Sequence, residues 1–302
     1  MPENYTVWRF VDGKPGHENQ SSGLVEAMAR LADVQVRDVP VTPGWRRLLD
    51  WLLGRCAVPA CGAERPDFLI GAGHATHLPM LACRRACGGR IVVLMKPSLP
   101  LHWFDLCIVP AHDQVPPSSR VLVSQGVLNR VVRGDKPGDA HALVLLGGPS
   151  ADYGWDEEQL VAQVQAVTAQ GQQAWTVAGS RRTPDATLHR LRTLLEPAGT
   201  QVLAFEQTRS GWLSSQLQQA RLVWVTEDSV SMVYEALTAH AACGLLRVPV
   251  RQSGRVHSGV EALVARGLVT PYESWSRGLS LQPPQVSFNE AARSARWLLE
   301  RS

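Results

Sequence analysis

Apolar, β-branched runs alternate along the chain with segments whose apolar residues recur at helical spacing. Val7–Asp12 predicts a strand, followed by a glycine-containing loop and a helix over Gln20–Leu31. Val34–Val41 predicts a second strand, Trp45–Leu53 a helix, Phe68–Gly73 a third strand and Thr76–Cys87 a helix. Ile91–Met95, Leu106–Pro110 and Val121–Ser124 read as further short strands. A polar stretch rich in Gly and Pro, Arg133–Asp139, then separates two apolar regions and reads as a linker. Beyond it the pattern restarts: strands at Ala142–Leu146, Ala174–Ala178, Val202–Phe205, Leu222–Val225 and Gly244–Val248, and helices at Glu157–Ala169, Leu188–Leu195, Val230–Leu237 and Asn289–Glu300. Such βαβ alternation predicts mostly parallel sheets wound with helices, an α/β class.

A length of 302 residues exceeds what one core usually serves, at roughly 100–200 residues per domain, so two lobes are expected. The expected boundaries are 1–134 and 139–286, with 287–302 as a terminal helix. Thirty basic against 27 acidic residues is too balanced for a nucleic-acid partner, and no nucleic-acid-binding signature is present. The first residues lack the pattern of a signal peptide, and no apolar run reaches the ~20 residues of a spanning helix. The expectation is a cytoplasmic protein, or one bound peripherally to the inner membrane. Of six cysteines, Cys56/Cys61 and Cys83/Cys87 loosely suggest two ligand pairs, but not at the CxxC spacing of common zinc sites. Packing is the expected role of Cys83 and Cys87, and a cytosolic setting argues against disulfides.

Ligands of open parallel sheets sit where loops leave the C-terminal strand ends. Four such places carry chemistry. The first, Asp12-Gly13-Lys14-Pro15-Gly16-His17-Glu18, groups three proton-transfer side chains (Asp12, His17, Glu18) with Lys14 and Gly16; it also suits a solvated turn. The second, Gly71-Ala72-Gly73-His74, feeds a helix start, where backbone N–H groups meet anions. The third pairs Gly147-Gly148-Pro149-Ser150 with Ser180-Arg181-Arg182: glycines admit a phosphate and arginines neutralise it. The fourth is Thr226-Glu227-Asp228-Ser229-Val230-Ser231, opening a helix whose dipole favours a phosphate, with Glu235 two turns further in, within reach of a ribose. Asp228 or Ser229 would equally serve as a simple N-cap.

Trp45, Leu48, Leu49, Leu52 and Leu53 share one helical stripe flanked by Arg46, Arg47 and Arg55, with Trp51 off it. A core helix explains the leucines. A helix lying on an anionic membrane explains the basic and Trp-rich borders as well.

Several long motifs resemble one family. DGKPGHENQ near the start, FDLCIVPAHD, LLGGPSADYGW, SRRTP and TEDSVSMVYEAL are similar to the mitochondrial-fission "elongated mitochondria" family. Its bacterial members are described as glycosyltransferases or nucleoside-diphosphate-sugar epimerases. The resemblance implies a GT-B-like fold: two Rossmann-type lobes with an interdomain cleft, acceptor on the first, nucleotide-sugar on the second, and a C-terminal helix returning to the first. The family's fission label comes from plants and is not carried onto this chain. More loosely, the first two loops resemble the acceptor side of the lipid-linked cell-wall transferase that adds N-acetylglucosamine. The expectation is then a glycosyltransferase with no metal and no cofactor, taking a nucleotide-sugar as donor and a lipid-linked or envelope glycan as acceptor. No acidic DxD triplet is present, which fits metal independence. His17 would be the general base, with Asp12 or Glu18 as substitutes, and Lys14, Gly16, Gly71, Gly73 and His74 the acceptor side. Gly147, Gly148, Ser150, Ser180, Arg181, Arg182, Thr226, Asp228, Ser229, Ser231 and Glu235 would hold the donor. Two rivals stand beside it: a nucleotide-sugar epimerase, and a non-catalytic binding protein recruited to a membrane through Trp45–Arg55.

Overall fold

The computed structural model describes residues 4–41, 44–53, 56, 65–134, 141–170, 174–209 and 211–301. Two compact units result: Met1–Arg130 with Asn289–Ser302, and Val131–Phe288. Most of the polar stretch read as a linker, 135–139, lies outside the described residues, as do Arg55, Cys61 and the side chains of Trp45, Arg46, Arg47 and Leu49.

The first unit carries a six-stranded, wholly parallel sheet in the order β2-β1-β3-β4-β5-β6. Its strands are β1 (Asn4–Val11), β2 (Asp33–Pro40), β3 (Phe68–Ala72), β4 (Arg90–Leu94), β5 (Leu106–Pro110) and β6 (Val121–Ser124). Its helices are α1 (Pro15–Ala29), α2 (Gly44–Leu53) and α3 (His77–Cys87). Every residue of β3 and β5 is buried, which is why both read as unbroken apolar runs. Strand β2 is an edge: largely exposed, charged and closed by Pro40. Successive residues of a strand point to opposite faces, so β1 serves two cores. Tyr5 and Val7 join Leu24 and Met28 of α1 on one face, while Trp8 and Phe10 join Met80 of α3 on the other.

The second unit repeats the plan, with a six-stranded parallel sheet in the order β12-β11-β10-β7-β8-β9. The strands are β7 (His141–Leu146), β8 (Ala174–Gly179), β9 (Gln201–Leu203), β10 (Ala220–Thr226), β11 (Ala242–Leu246) and β12 (Thr270–Pro271). Around them lie α4 (Glu157–Thr168), α5 (Asp185–Leu195), α6 (Trp212–Gln219), α7 (Val230–Thr238), α8 (Arg255–Ala265) and α9 (Tyr272–Ser276). Leu160, Val164 and Val167 of α4 pack with Leu188 and Leu191 of α5 on β7 and β8. The last helix, α10 (Glu290–Leu299), belongs to the first unit: Ala291, Ala295 and Leu298 complete the core that α1 lines. Asn289 caps it through Ala292 N at 2.9 Å, and the Glu290 carboxylate accepts Gln125 N at 2.8 Å.

Three expectations change. Helix α1 starts at Pro15, not Gln20, because proline suits the first helical position, where no N–H is needed. His17 and Glu18 therefore sit in a helical first turn and not in a loop. In α2 the described leucines of the stripe are not core: Leu48, Leu52 and Leu53 are 51%, 61% and 55% exposed. Among its described side chains Trp51 packs inward, stacked on Trp103 with centroids 6.2 Å apart. Finally, Cys56 is disulfide-bonded to Cys83, and Cys87 is disulfide-bonded too, contrary to the packing role expected. The return of the chain from α2 brings Cys56 against α3, a contact that local spacing does not reveal. Cys107 and Cys243 are free, and burial pushes each thiol up to about 12, so neither is a ready nucleophile. Among the described residues no helix is long and apolar enough to cross a membrane.

Two stability predictions follow from this packing. A Cβ at Gly23 of α1 would lie 2.4 Å from the Asn129 carbonyl oxygen, a backbone atom with little room to yield. Gly23→Ala is expected to cost about 1–3 kcal/mol and lower the melting temperature; an unchanged melt would show that the 129 segment gives way. His77, in the first turn of α3, is buried against Phe104, with its Nδ1 3.2 Å from Ser98 Oγ. Burial, reinforced by the nearby His74, lowers its pKa from 6.5 to about 4. Between those values the unfolded chain takes up a proton that the folded one refuses. This contribution is therefore whole above pH 6.5 and lost as pH falls toward 4. Melting curves from pH 7 to 4.5 should drop more steeply for the wild type than for His77→Asn; parallel curves would contradict this.

Candidate active site

Strand order reverses beside the first strand of each sheet: β1 lies between β2 and β3, and β7 between β8 and β10. Connections leaving such neighbours diverge to opposite faces, so a crevice opens at their C-terminal ends. The candidate residues of each unit gather there.

In the first unit, β1 delivers Asp12 and α1 delivers His17. His17 Nδ1 lies 2.8 Å from Asp12 Oδ2, and the Asp12 side chain is only 3% exposed. A carboxylate partner places the ring proton on Nδ1 and leaves Nε2 as the basic nitrogen. The other Asp12 oxygen accepts Lys14 N–H at 3.2 Å, holding the turn between strand and helix. From across the switch point comes Gly73, whose φ of 81° suits glycine. Any Cβ there would fall 2.3 Å from the imidazole of His17. The ring thus rests on bare backbone. Sequence reasoning offered Asp12 as a substitute base; the geometry makes it the partner that orients His17. Glu18, half-buried one residue on, uses its backbone carbonyl to accept Ser21 Oγ–H at 3.2 Å. Gly16 is exposed, with space around its Cα. Gly71 is needed by the fold, since a Cβ would meet Thr76 Oγ1 at 2.6 Å. His74 is exposed at the start of the turn 74–76.

The same edge holds residues that sequence reasoning missed. Met95, just after β4, has φ 72°, a strained conformation for a residue with a side chain. Its sulfur lies 3.4 Å from the Gln20 amide of α1. Next to it, Lys96 N–H donates to Asp113 Oδ2 at 3.3 Å and Lys96 Nζ to the Asp113 carbonyl at 3.4 Å. The apolar run of β4 ending in Met-Lys-Pro was the signal available.

In the second unit the glycine turn and the arginines do meet, but they largely satisfy one another. Gly147 N–H donates to Thr226 Oγ1 at 2.7 Å and Gly148 N–H to Asp228 Oδ2 at 3.0 Å. Arg182 Nη2 donates to the same oxygen at 2.7 Å, and the Asp228 side chain is fully buried. Gly148 is glycine because a Cβ would strike the Arg182 carbonyl at 2.1 Å. The close approach foreseen for a phosphate is therefore used by the chain's own atoms. Ser180 Oγ–H donates to the Gly147 carbonyl at 2.8 Å, and Arg181 lies over the Phe205 ring at 4.6 Å. Ser150 closes its own turn, its N–H donating to the Tyr153 carbonyl at 2.9 Å.

Neither proposed cap is one. Asp228 is engaged with Gly148 and Arg182, and Ser229 occupies the N-cap position without a side-chain cap bond. The N–H groups of Val230 and Ser231 have no acceptor among the described residues, as first-turn donors of a helix. Ser231 is exposed and Glu235 half-buried on α7. Behind them Glu227 is buried and paired with Arg247 Nη1 at 2.8 Å, while its other oxygen accepts Val248 N–H at 3.1 Å. Desolvation raises the Glu227 pKa, with Arg247 pulling the other way. Glu227 is not among the residues expected to hold the donor, and its partner Arg247 follows the next strand. Among the described residues no group of three or more His, Cys, Asp or Glu could hold a metal ion.

Solved structures share this architecture. UDP-GlcNAc 2-epimerase from Methanocaldococcus jannaschii matches with a TM-score of 0.60 at 12% identity, covering 98% of this chain and 99% of that one. MurG from Acinetobacter baumannii matches at 0.57 and 12%, covering 99% and 100%. UDP-GlcNAc 2-epimerase from Neisseria meningitidis, bound to UDP-GlcNAc, matches at 0.55 and 10%, covering 98% and 99%. At such identities the likeness is one of fold, the GT-B type of two Rossmann-like lobes. No curated protein sequence matches the chain significantly. The family model described as Mitochondrial fission ELM1 matches residues 15–302, nearly the whole sequence and every strand after β1. With a match of that extent, the chain belongs to the Mitochondrial fission ELM1 family.

Proposed function

We propose that the chain is a metal-independent glycosyltransferase that moves a sugar from a nucleotide-sugar to a cell-envelope acceptor. The observation that carries this reading is the Asp12–His17 pair at the switch point of the first sheet. In the proposed reaction the acceptor hydroxyl attacks the anomeric carbon while the bond from that carbon to the diphosphate oxygen breaks. His17 Nε2 takes the hydroxyl proton. Asp12 holds the ring in the useful tautomer and stabilises the imidazolium that forms. The diphosphate leaves with the electron pair. Its charge is met by the free N–H groups at the start of α7 and by the Arg182 guanidinium, partly exposed and already balanced in part by Asp228. Arg181, stacked on Phe205, has a smaller part in this scheme than its neighbour. The fold supports a nucleotide-sugar user, because a protein of like fold is bound to UDP-GlcNAc.

The fold also favours a second reading, a nucleotide-sugar epimerase, since two proteins of like fold are UDP-GlcNAc 2-epimerases. One assay separates the two. With a UDP-sugar panel and an envelope glycolipid acceptor, transfer is expected, and His17→Ala should slow it by about 100-fold or more, with Asp12→Asn also impaired. Full activity in His17→Ala would sink the assignment. Deuterium entering the recovered nucleotide-sugar from heavy water, with acceptor omitted, would select the epimerase.

The acceptor class implies work at an anionic membrane surface, and α2 supplies a face for it. Its three exposed leucines stand on a helix anchored by Trp51 and by Arg85 Nη1–H donating to the Trp51 carbonyl at 3.3 Å. Segment 42–90 holds seven basic residues against three acidic ones, whereas the remainder of the chain is nearly balanced. Apolar area and positive charge together suit peripheral attachment. Sedimentation with phosphatidylglycerol vesicles should carry the protein down, and Leu48→Ser/Leu52→Ser/Leu53→Ser should release it without altering the melt. Equal binding to neutral vesicles, or none, would contradict this; vesicle binding without nucleotide binding would favour a recruiting protein.

A further inference from the structure

The chain contains 27 arginines but only three lysines, Lys14, Lys96 and Lys136. Lys136 lies outside the described residues. The other two both stand at the C-terminal edge of the first sheet, one after β1 and one after β4. The two ammonium groups are not interchangeable with guanidinium: each is a compact point charge on a flexible four-carbon stem. Elsewhere the cations are arginines, many of them committed to carboxylates, as Arg9 is to Asp38, Arg130 to Glu26 and Arg293 to Glu290. Lys14 and Lys96 have no carboxylate in ion-pair range among the described residues, and both are exposed.

Both lysines leave the same edge of the first sheet as the Asp12–His17 pair, and the Lys96 ammonium rests on the Asp113 carbonyl at 3.4 Å. Lys14 is the N-cap residue of α1, and its N–H is tied to Asp12, the partner of His17. Gln20 of α1 touches the sulfur of Met95, the residue before Lys96. Lys96 itself is fixed at its backbone by the mostly buried Asp113 carboxylate and follows a strained Met95. Strain of that kind persists only where the surrounding structure over-determines the residue. β3 alone separates β1 from β4, which sets their ends about 10 Å apart. The four-carbon stem of each lysine is long and flexible enough to turn its ammonium toward an anion held between such ends.

We propose that Lys14 and Lys96 form an oxyanion clamp beside His17 that binds a phosphate-bearing acceptor. This deepens the transferase reading and rests on it: the clamp would position the anionic end of the acceptor while His17 takes the proton from its hydroxyl.

The scarcity of lysine makes the test direct. Reductive ¹³C-dimethylation of the full chain keeps each charge and gives three lysine resonances, assigned with Lys14→Arg, Lys96→Arg and Lys136→Arg. Inorganic pyrophosphate is then titrated. The expected result is a saturable shift of the Lys14 and Lys96 signals with a common dissociation constant and a still Lys136 signal. Lys96→Met should weaken that constant about tenfold, the effect of one lost charged contact, with an unchanged melt. Three signals drifting together without saturation, no shift at all, or a shift of Lys14 that survives Lys96→Met would each overturn the clamp. Failure of the clamp and failure of the transferase reading are distinguishable. Turnover with unresponsive lysines sinks the clamp alone; responsive lysines without turnover sink the transferase reading and leave an anion site.

Discussion

A parallel sheet that grows in both directions from its first strand must send neighbouring connections to opposite faces. Each lobe meets that constraint at the same place, beside β1 in one and β7 in the other. What fills the resulting notch differs. In the first lobe an imidazole lies on a glycine that has no side chain to push it away, held by a carboxylate that is itself out of water. In the second lobe a buried aspartate and an arginine close over two glycines. One notch holds an imidazole against a buried carboxylate. The other builds a rigid floor beneath the start of a helix.

The contrast bears on where charge resides. Asp228 has an exposed-side partner in Arg182 and a backbone donor in Gly148, so removing either would leave a carboxylate poorly compensated in a dry site. The pair contributes little net charge to its surroundings. In the proposed reaction, attraction for the diphosphate in this lobe then rests mainly on first-turn N–H groups, whose direction is fixed by the backbone and needs no side-chain ordering. Glu227 and Arg247 repeat the pattern one layer deeper, tying the end of β10 to the segment after β11.

Much of the fold is legible in sequence for a definite reason. Strands buried on both faces, such as Phe68–Ala72 and Leu106–Pro110, must be apolar throughout, and they announce themselves. Short elements under weaker constraint do not: α6, α9 and β12 span eight, five and two residues, too few for a periodic signal to stand out. The site residues show a similar split. His17, Asp12, Arg182 and Asp228 were visible as residue types in the right places, but their pairing was not, because Asp12 is five residues from His17 around a turn and Asp228 comes from a different strand end than Arg182. The leucine stripe of α2 was seen and its direction was not: amphipathicity tells that a helix has two faces, not which of them meets the protein. The Cys56–Cys83 bond and the Arg181–Phe205 contact likewise arise from chain return, which no local pattern encodes.

The placement of α10 has a consequence for how the molecule comes into being. The helix that covers Leu24, Val25 and Met28 of α1 is translated only after all of the second unit. Lobes usually mature in the order of synthesis. Here the lobe begun first is completed last, and during elongation it carries an uncovered apolar groove for as long as it takes to translate residues 131–288. A chain built this way has reason to depend on a chaperone for its first half and not for its second.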